Sequence, residues 1–221
     1  MALQARAEIT RKQVMEGAAL SFDQLGFGGA SLSGILAHAN VTKGALYFHF
    51  ESKEALARAI IEETHRMAAE ASARALAESS TPTEVMIRIS QYRAEQLMTE
   101  PISRAGMRLA LEIGIVEGPE TKPVVDWADA VGDLAQRGIQ IGELRSTVDT
   151  AALGRILAST FTGIQLVSQA MSGRRDLIGR IVEMWQLLLP TIATEEALPR
   201  LLDIAISGGR SNESESVPPV R

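Results

Sequence analysis

The chain has 221 residues, 46% of them hydrophobic, and a formal net charge of −5 at pH 7. It is long enough for a substantial core, in one large domain or two small ones. It has no cysteine, which excludes disulfides and thiolate chemistry. The N-terminus lacks the apolar stretch of a secretory signal, and no apolar run approaches the ~20 residues that span a bilayer. We therefore expect a cytoplasmic protein.

The charges are distributed unevenly along the chain. Residues 1–53 hold five Lys and Arg against four acids, and the remainder, out of totals of 22 and 27, holds 17 against 23. An acidic protein does not bind nucleic acid over its whole surface, so any attraction to phosphate has to be local. The pattern is typical of a small, nearly neutral head on a larger acidic body.

The stretch ASLSGILAHANVTKGALYFHF, residues 30–50, predicts two short helices joined by a tight turn. Ser31 and Thr42 are good N-caps, because their hydroxyls accept backbone N–H groups that a first helical turn leaves unpaired. Asn40 enters the left-handed conformation at low cost, which the corner between the helices requires. The second helix is predicted over residues 43–49.

This second helix has the composition of a DNA recognition helix. Side chains with a hydrogen-bond donor at the tip crowd into eight residues: Thr42, Lys43, Tyr47 and His49. Gly44 and Ala45 keep its first turn slim enough to enter a major groove. Leu46 and Phe50 are left to pack inward. From composition alone, an ordinary amphipathic hairpin with a solvated polar face is equally consistent.

The rest of the chain predicts further helices and no strand. Capping signals are Ser52 for a long helix over residues 53–78 and the box Thr81-Pro82-Thr83-Glu84 for the next. The other predicted helices cover residues 1–26, ended by Gly26; 101–114; a segment with Trp127 to about Gly138; Asp149 or Thr147 to Gly173; 176–189, stopped by Pro190; and Thr194 to near Gly208-Gly209. The fold class is all-α.

The segment VTKGALYFHFESKEAL, residues 41–56, resembles the recognition helix and following helix start of the TetR family of bacterial transcriptional repressors. The positions in register are Gly44, Tyr47, His49, Phe50, Lys53, Glu54 and Leu56. The resemblance implies a TetR-like fold with a helix-turn-helix head over residues 1–52 and a ligand-binding and dimerisation body over residues 53–209. Residues 210–221, rich in Ser, Glu and Pro, are predicted to be disordered. It implies no enzyme activity, cofactor or metal, and the three histidines form no metal-ligand pair.

The resemblance also implies which residues meet DNA: Arg6, Ser31, Thr42, Lys43, Gly44, Ala45, Tyr47, Phe48, His49 and Lys53. Among them, Thr42, Gly44 and Ala45 are expected at base edges, and the tyrosine, histidine and second lysine at phosphates. For the basic residues near the start of the first helix, a solvated face is an equally good interpretation.

Three body segments, ISRAGMRLALEIG, PVVDWADAV and VEMWQLLLP, resemble the γ-butyrolactone receptor branch of the family, which is found in streptomycetes and related actinobacteria. Such proteins repress antibiotic-biosynthesis and signalling genes until a butyrolactone-type autoregulator releases them from DNA. Trp127 matches a tryptophan that lines the ligand pocket in that branch, although a lone tryptophan more often fills core. The expected ligand-binding residues are Thr64, Met107, Leu109, Trp127, Thr160, Phe161, Gln165 and Met184.

Two features leave the ligand open and predict the assembly. Thr64 and Phe161 are not the residue types most associated with their positions in that branch, so an unrelated hydrophobic ligand of an efflux or catabolic operon remains the alternative. The predicted helices over residues 149–173 and 176–190 are apolar on more than one stripe, which requires a second partner. The resemblance implies a homodimer that presents two recognition helices to a palindromic operator.

Overall fold

A computed structural model describes residues 2–117 and 122–213, with side chains over residues 6–113 and 126–208. The helices are α1 (Ala2–Gly29), α2 (Leu32–Ala39), α3 (Lys43–His49), α4 (Lys53–Glu78), α5 (Pro82–Thr99), α6 (Pro101–Glu117), α7 (Lys122–Gln140), α8 (Thr150–Ser172), α9 (Leu177–Ile192) and α10 (Leu198–Glu213). Within the described ranges the only β-pairing is an isolated bridge between Leu144 and Ala193. The all-α prediction is confirmed.

The predicted helix starts follow their capping chemistry. Ser31 Oγ accepts the amide of Gly34 at 3.1 Å, and Thr42 Oγ1 accepts that of Ala45 at 3.2 Å. Ser52 caps α4 in the same way, and of the two candidates for α8 it is Asp149 that accepts from Ala152, at 2.9 Å. The corner residue Asn40 is left-handed, with φ 51° and ψ 44°. Each of these signals is local, which is why the sequence predicts them well.

Two predicted helix ends are wrong. The helix α9 passes Pro190 and ends at Ile192. Its last carbonyls find donors on Arg145, whose guanidinium bonds the oxygens of Pro190 and Ala193 and whose backbone amide bonds that of Ile192. The last helix, α10, likewise continues through two glycines to residue 213, because Gly208 packs tightly on the Gln91 side chain. Four residues of the predicted tail are therefore helical, and residues 214–221 lie outside the described part.

Contacts divide the chain into two compact units. Unit 1 comprises Met1–Ala69 and Thr99–Lys122, so it holds α1–α3, most of α4, and α6. Its core joins the helix-turn-helix to α4 and α6 through buried apolar side chains, among them Phe22, Ile35, Leu46, Phe50, Leu56, Ile60 and Leu109. The recognition helix is thus held by residues on both sides of it in sequence.

Unit 2 comprises Glu70–Met98 and Pro123–Arg221. Its core includes the fully buried Trp185, Phe161, Ile87, Leu97, Leu144 and Leu177. Where α7 and α8 cross, Gly154 lies directly against the backbone of Ala128 and Gly132, which brings the two helices close together next to Trp127. None of the described helices combines the length and apolar character needed to cross a membrane.

Candidate functional site

The recognition helix α3 is anchored on one face and exposed on the other. Leu46 and Phe50 are buried in the core of unit 1. Thr42, Lys43 and Gly44 are exposed, and Phe48 has 79% of its surface exposed. An exposed phenylalanine in a helix of seven residues serves no packing purpose within unit 1. Two polar residues and an aromatic ring are therefore available to another molecule.

Gly44 has open space around it. An added Cβ would meet no atom within 4 Å, and the residue is not in the left-handed region. Neither close packing nor an unusual backbone conformation therefore requires a glycine here, although glycine costs a helix up to ~1 kcal/mol relative to alanine. The absent side chain leaves room outside the protein, on the same turn as the exposed Lys43.

Three of the predicted DNA-binding residues, Ser31, Tyr47 and Lys53, line one surface depression of about 400 Å³. Lys53 also serves the fold there, since its ammonium donates to the carbonyls of Phe27 and Ala30 at 2.9 and 3.2 Å. It lies 4.4 Å from the centroid of the Phe27 ring as well. In this conformation most of its donor capacity is used within unit 1.

The remaining predicted DNA-binding residues take separate positions. Lys43 lies 5.8 Å from the centroid of the Tyr47 ring, on the exposed side of α3. His49 is half-buried, with its ring edge-on to that of Phe48. Arg6 is exposed in α1, away in sequence from the helix-turn-helix.

Sequence reasoning did not find the group of charged residues that holds the end of α1. Gly26, with φ 72°, bends α1, and α6 binds the bend through Arg104, Arg108 and Glu112. Glu112 accepts the amide of Phe27 at 2.7 Å, and the first arginine pairs with Asp23 at 2.8 Å. The signal in the sequence is a run of charges at i, i+4 and i+8, one face of a helix.

The ligand-binding prediction brings three residues together in unit 2. The rings of Trp127 and Phe161 meet edge to face, with centroids 5.4 Å apart. Gln165 lies one turn further along α8 and has 1% of its surface exposed. Among the described residues, no group hydrogen-bonds Trp127 Nε1 or Gln165 Oε1, although both atoms are buried. A buried donor and a buried acceptor without partners are costly, and a bound molecule would satisfy them.

The second tryptophan shows the contrast. Trp185 is also buried, but its Nε1 donates to Ser90 Oγ at 2.8 Å. Its indole is therefore satisfied within the core, whereas that of Trp127 is not. The sequence alone does not separate the two, because the partner of Trp185 lies 95 residues away.

The other predicted ligand residues lie elsewhere. Thr160 and Met184 line a groove of about 490 Å³ between α8 and α9, and neither Trp127 nor Phe161 lines it. In unit 1, Thr64 donates within its own helix and to the Ile102 carbonyl of α6, both at 2.9 Å. Also in unit 1, Leu109 is fully buried in the apolar core and Met107 is half-buried.

Arg93 is a residue of unit 2 that sequence reasoning missed. It lies on α5 with only 8% of its surface exposed, and it donates to Gln96 Oε1 at 2.7 Å. The available signal is an arginine within VMIRISQYRAEQL, a segment that is otherwise buried on most sides.

Comparison with known proteins agrees with this geometry. Residues 14–60 match the family model "Bacterial regulatory proteins, tetR family", and residues 80–193 match "Tetracyclin repressor-like, C-terminal domain". The chain is 42% identical to the A-factor receptor protein of Streptomyces griseus over 193 residues, which cover 87% of this chain and 67% of that one.

Solved structures give the same relationship. A crystal structure of a γ-butyrolactone receptor (ArpA-like protein) superposes with a TM-score of 0.81 at 27% identity, covering 94% of this chain and 100% of that one. The TetR family protein CprB from Streptomyces coelicolor, in complex with its biological operator sequence, gives a TM-score of 0.84 at 28% identity, covering 93% and 98%. The chain belongs to the TetR family of DNA-binding transcription regulators, which are not enzymes, and it is related to the A-factor and γ-butyrolactone receptors.

Proposed function

We propose that this protein is a transcriptional repressor that binds a palindromic operator as a homodimer and leaves it when a small amphipathic ligand binds unit 2. The observation that carries the proposal is the Trp127–Phe161 pair with two buried, unpartnered polar atoms next to it. A site for such a molecule needs an apolar wall and a few directed polar groups. The described residues of α7 and α8 supply both.

The ligand class that fits best is a hydroxylated γ-butyrolactone. Its ring carbonyl accepts from Trp127 Nε1, its hydroxyl donates to Gln165 Oε1, and its aliphatic tail packs on the aromatic rings. The names of the A-factor receptor and of the γ-butyrolactone receptors support the same class. The regulated genes would then be those of secondary metabolism or signalling, in the cytoplasm of the producing cell.

On the DNA side, the exposed face of α3 enters the major groove. Gly44 lets the backbone approach the bases, Thr42 and Ala45 lie beside it, and Lys43 reaches base or phosphate. Phe48 offers an apolar contact to a thymine methyl group. A homodimer places two such helices in successive grooves, about 34–36 Å apart.

The partner for the homodimer is supported by the groove between α8 and α9. Its lining is mostly apolar, with Ile156, Ile164, Met184, Leu187 and Leu188 among the residues. Leu187 has 78% of its surface exposed, a large loss for a leucine in a single copy. A second copy would cover this face with its own α8 and α9, giving a four-helix interface.

The experiment is operator binding with and without ligand. Fluorescence anisotropy of labelled DNA from the region upstream of the gene measures the affinity, and a panel of γ-butyrolactones and apolar drugs is then added. A lactone that releases the DNA supports the proposal, because a ligand shifts the equilibrium only by its preference for the released state. Release by drugs but not lactones favours an efflux-type regulator instead, and absence of any operator binding contradicts the repressor.

A pair of variants tests the ligand site. Trp127→Phe keeps an aromatic ring but removes the indole N–H, so we expect unchanged DNA affinity and a requirement for about tenfold more lactone. Trp185→Phe removes the other indole, whose partner is in the core, and should leave the lactone response unchanged. Equal responses in both variants would argue against the Trp127 site.

A further inference from the structure

The strongest unexplained feature of unit 2 is the charge on Arg93. Its guanidinium has five N–H donors, and the described contact uses one, to the neutral side chain of Gln96. Within the described part of the chain no carboxylate pairs with it, and burial alone lowers the pKa of Arg93 to about 10. The side chain therefore stays charged at neutral pH, and a buried charge without a counter-charge is costly.

More exposed arginines of the same unit differ from it. Arg74, Arg88, Arg180 and Arg200 each form an ion pair with at least one carboxylate. Acids are thus available to arginines at the edges of the unit, where a salt bridge contributes little. At Arg93, where the counter-charge matters most, the described residues provide none.

Its position on α5 indicates what faces it. Ser90 bonds Trp185 of α9, Gln91 bonds the Ala205 carbonyl of α10, and Tyr92 bonds Glu78 of α4. Successive residues of a helix point about 100° apart, so these three contacts take three sides of α5. Arg93 lies on the remaining side, and the helices of unit 2 that these contacts leave are α7 and α8. Those two helices carry the aromatic pair and Gln165.

We propose that Arg93 is the binding site for a carboxylate of the effector, so that the effector class is an amphipathic carboxylic acid with its apolar chain on the aromatic pair. The guanidinium fork matches a carboxylate in two parallel hydrogen bonds, which a neutral lactone carbonyl does not reproduce. This inference rests on the proposed function, because it names the chemistry of the ligand that unit 2 binds.

A matched pair of probes tests it. γ-Decanolactone and γ-hydroxydecanoate share one carbon chain and differ by one water, and only the second carries a charge. Isothermal titration of the full-length protein at mildly alkaline pH, where the acid stays open, gives both affinities. We expect the acid to bind at least about tenfold more tightly than the lactone, the range of a hydrogen bond to a charged group. We expect Arg93→Gln to remove that preference and Arg93→Lys to keep part of it.

Arg88→Gln is the control, since it removes a positive charge from the same helix at a residue that already pairs with Glu84. It should keep the preference for the acid. Equal preference in the Arg93→Gln and Arg88→Gln variants would overturn the inference, and so would a wild-type protein that prefers the lactone. In that last case operator release by the lactone leaves the proposed function standing, whereas binding of neither probe contradicts both.

Thermal unfolding separates this from a structural role. If the charge is uncompensated without ligand, Arg93→Met fills the same volume without that penalty, and its melting temperature should match or exceed that of the wild type. The variant should nonetheless lose the preference for the acid. A clear fall in melting temperature would show that Arg93 holds the fold, and would overturn the inference.

Discussion

Gly44 is the single residue whose identity the fold explains least. With open space around it and a helical backbone, alanine fits there without a clash. We predict that Gly44→Ala raises the stability of the protein, by up to ~1 kcal/mol, because it restores helix propensity. The same change should weaken operator binding, since the added methyl group occupies the space that DNA would enter.

Chemical denaturation and anisotropy measure the two effects separately. Gly28→Ala is the control, because Gly28 also has no neighbour within 4 Å of an added Cβ, but it lies in α1. It should change stability in the same direction and leave operator affinity unchanged. A Gly44→Ala protein that binds DNA as well as the wild type would exclude a close approach at this turn.

Asp176 is a second residue with a specific expectation, here for pH. Hydrogen bonds from Ser168, Ser172 and Arg180 hold its pKa well below its ordinary value of 3.8. Because the folded state favours the charged form, the stabilisation is complete above that value and is lost as the pH falls through it towards the folded-state pKa.

Asp176→Asn should therefore melt at a lower temperature than the wild type at neutral pH, and the gap should narrow below pH 3.8. Calorimetry over a pH series measures it. Asp203→Asn, at an exposed position on α10, controls for the loss of one negative charge. A gap that stays constant with pH would mean that the contacts of Asp176 do not depend on its charge.

Among the elements, α6 has the largest predicted effect on the head. Burial raises the pKa of Glu112, but its bonds to Arg108 and to the amide of Phe27 outweigh this and hold it below 4.5. Glu112→Ala would leave both donors unpaired at the bend of α1. We expect a loss of about 1–3 kcal/mol in the free energy of unfolding, together with weaker operator binding.

Denaturant unfolding of Glu112→Ala checks the first effect and anisotropy the second. Glu16→Ala is the comparison on α1, where the pair with Lys12 is exposed and spans 3.7 Å. Such a pair contributes about 0–1 kcal/mol, so this variant should resemble the wild type. Similar losses in both variants would mean that the bend does not depend on α6.

The sequence predicts elements where their determinants are local and misses them where these are distant. The caps of α2, α3, α4 and α8 follow from a side chain within three residues of the amide it binds. The end of α9 depends instead on Arg145, 45 or more residues away, which supplies donors beyond the proline. The site divides in the same way. Trp127 stands out by residue type, whereas the missing partner of its N–H is visible only once unit 2 has folded.

For the whole molecule, the proposal depends on a second copy covering the groove between α8 and α9. Leu187 lines this groove, so Leu187→Glu would place a charge inside the interface. We predict a monomer in sedimentation experiments and operator affinity reduced by orders of magnitude, because each head then binds its half-site alone.

The matched control is Leu76→Glu. Leu76 has 56% of its surface exposed but lies on α4 and does not line the groove. This variant should remain a dimer with normal operator affinity. A Leu187→Glu protein that still sediments as a dimer would locate the interface on another face.

The different surroundings of the two indoles make the protein its own optical instrument. The chain has two tryptophans, and one of them, Trp185, is 1% exposed and hydrogen-bonded inside the core. Its emission should stay constant for as long as the core is folded, while that of Trp127 should change when a ligand reaches its free N–H. The ratio of the two signals would then report occupancy independently of protein concentration, and loss of the constant component would reveal unfolding. The protein could thus serve as a label-free sensor with a built-in internal standard.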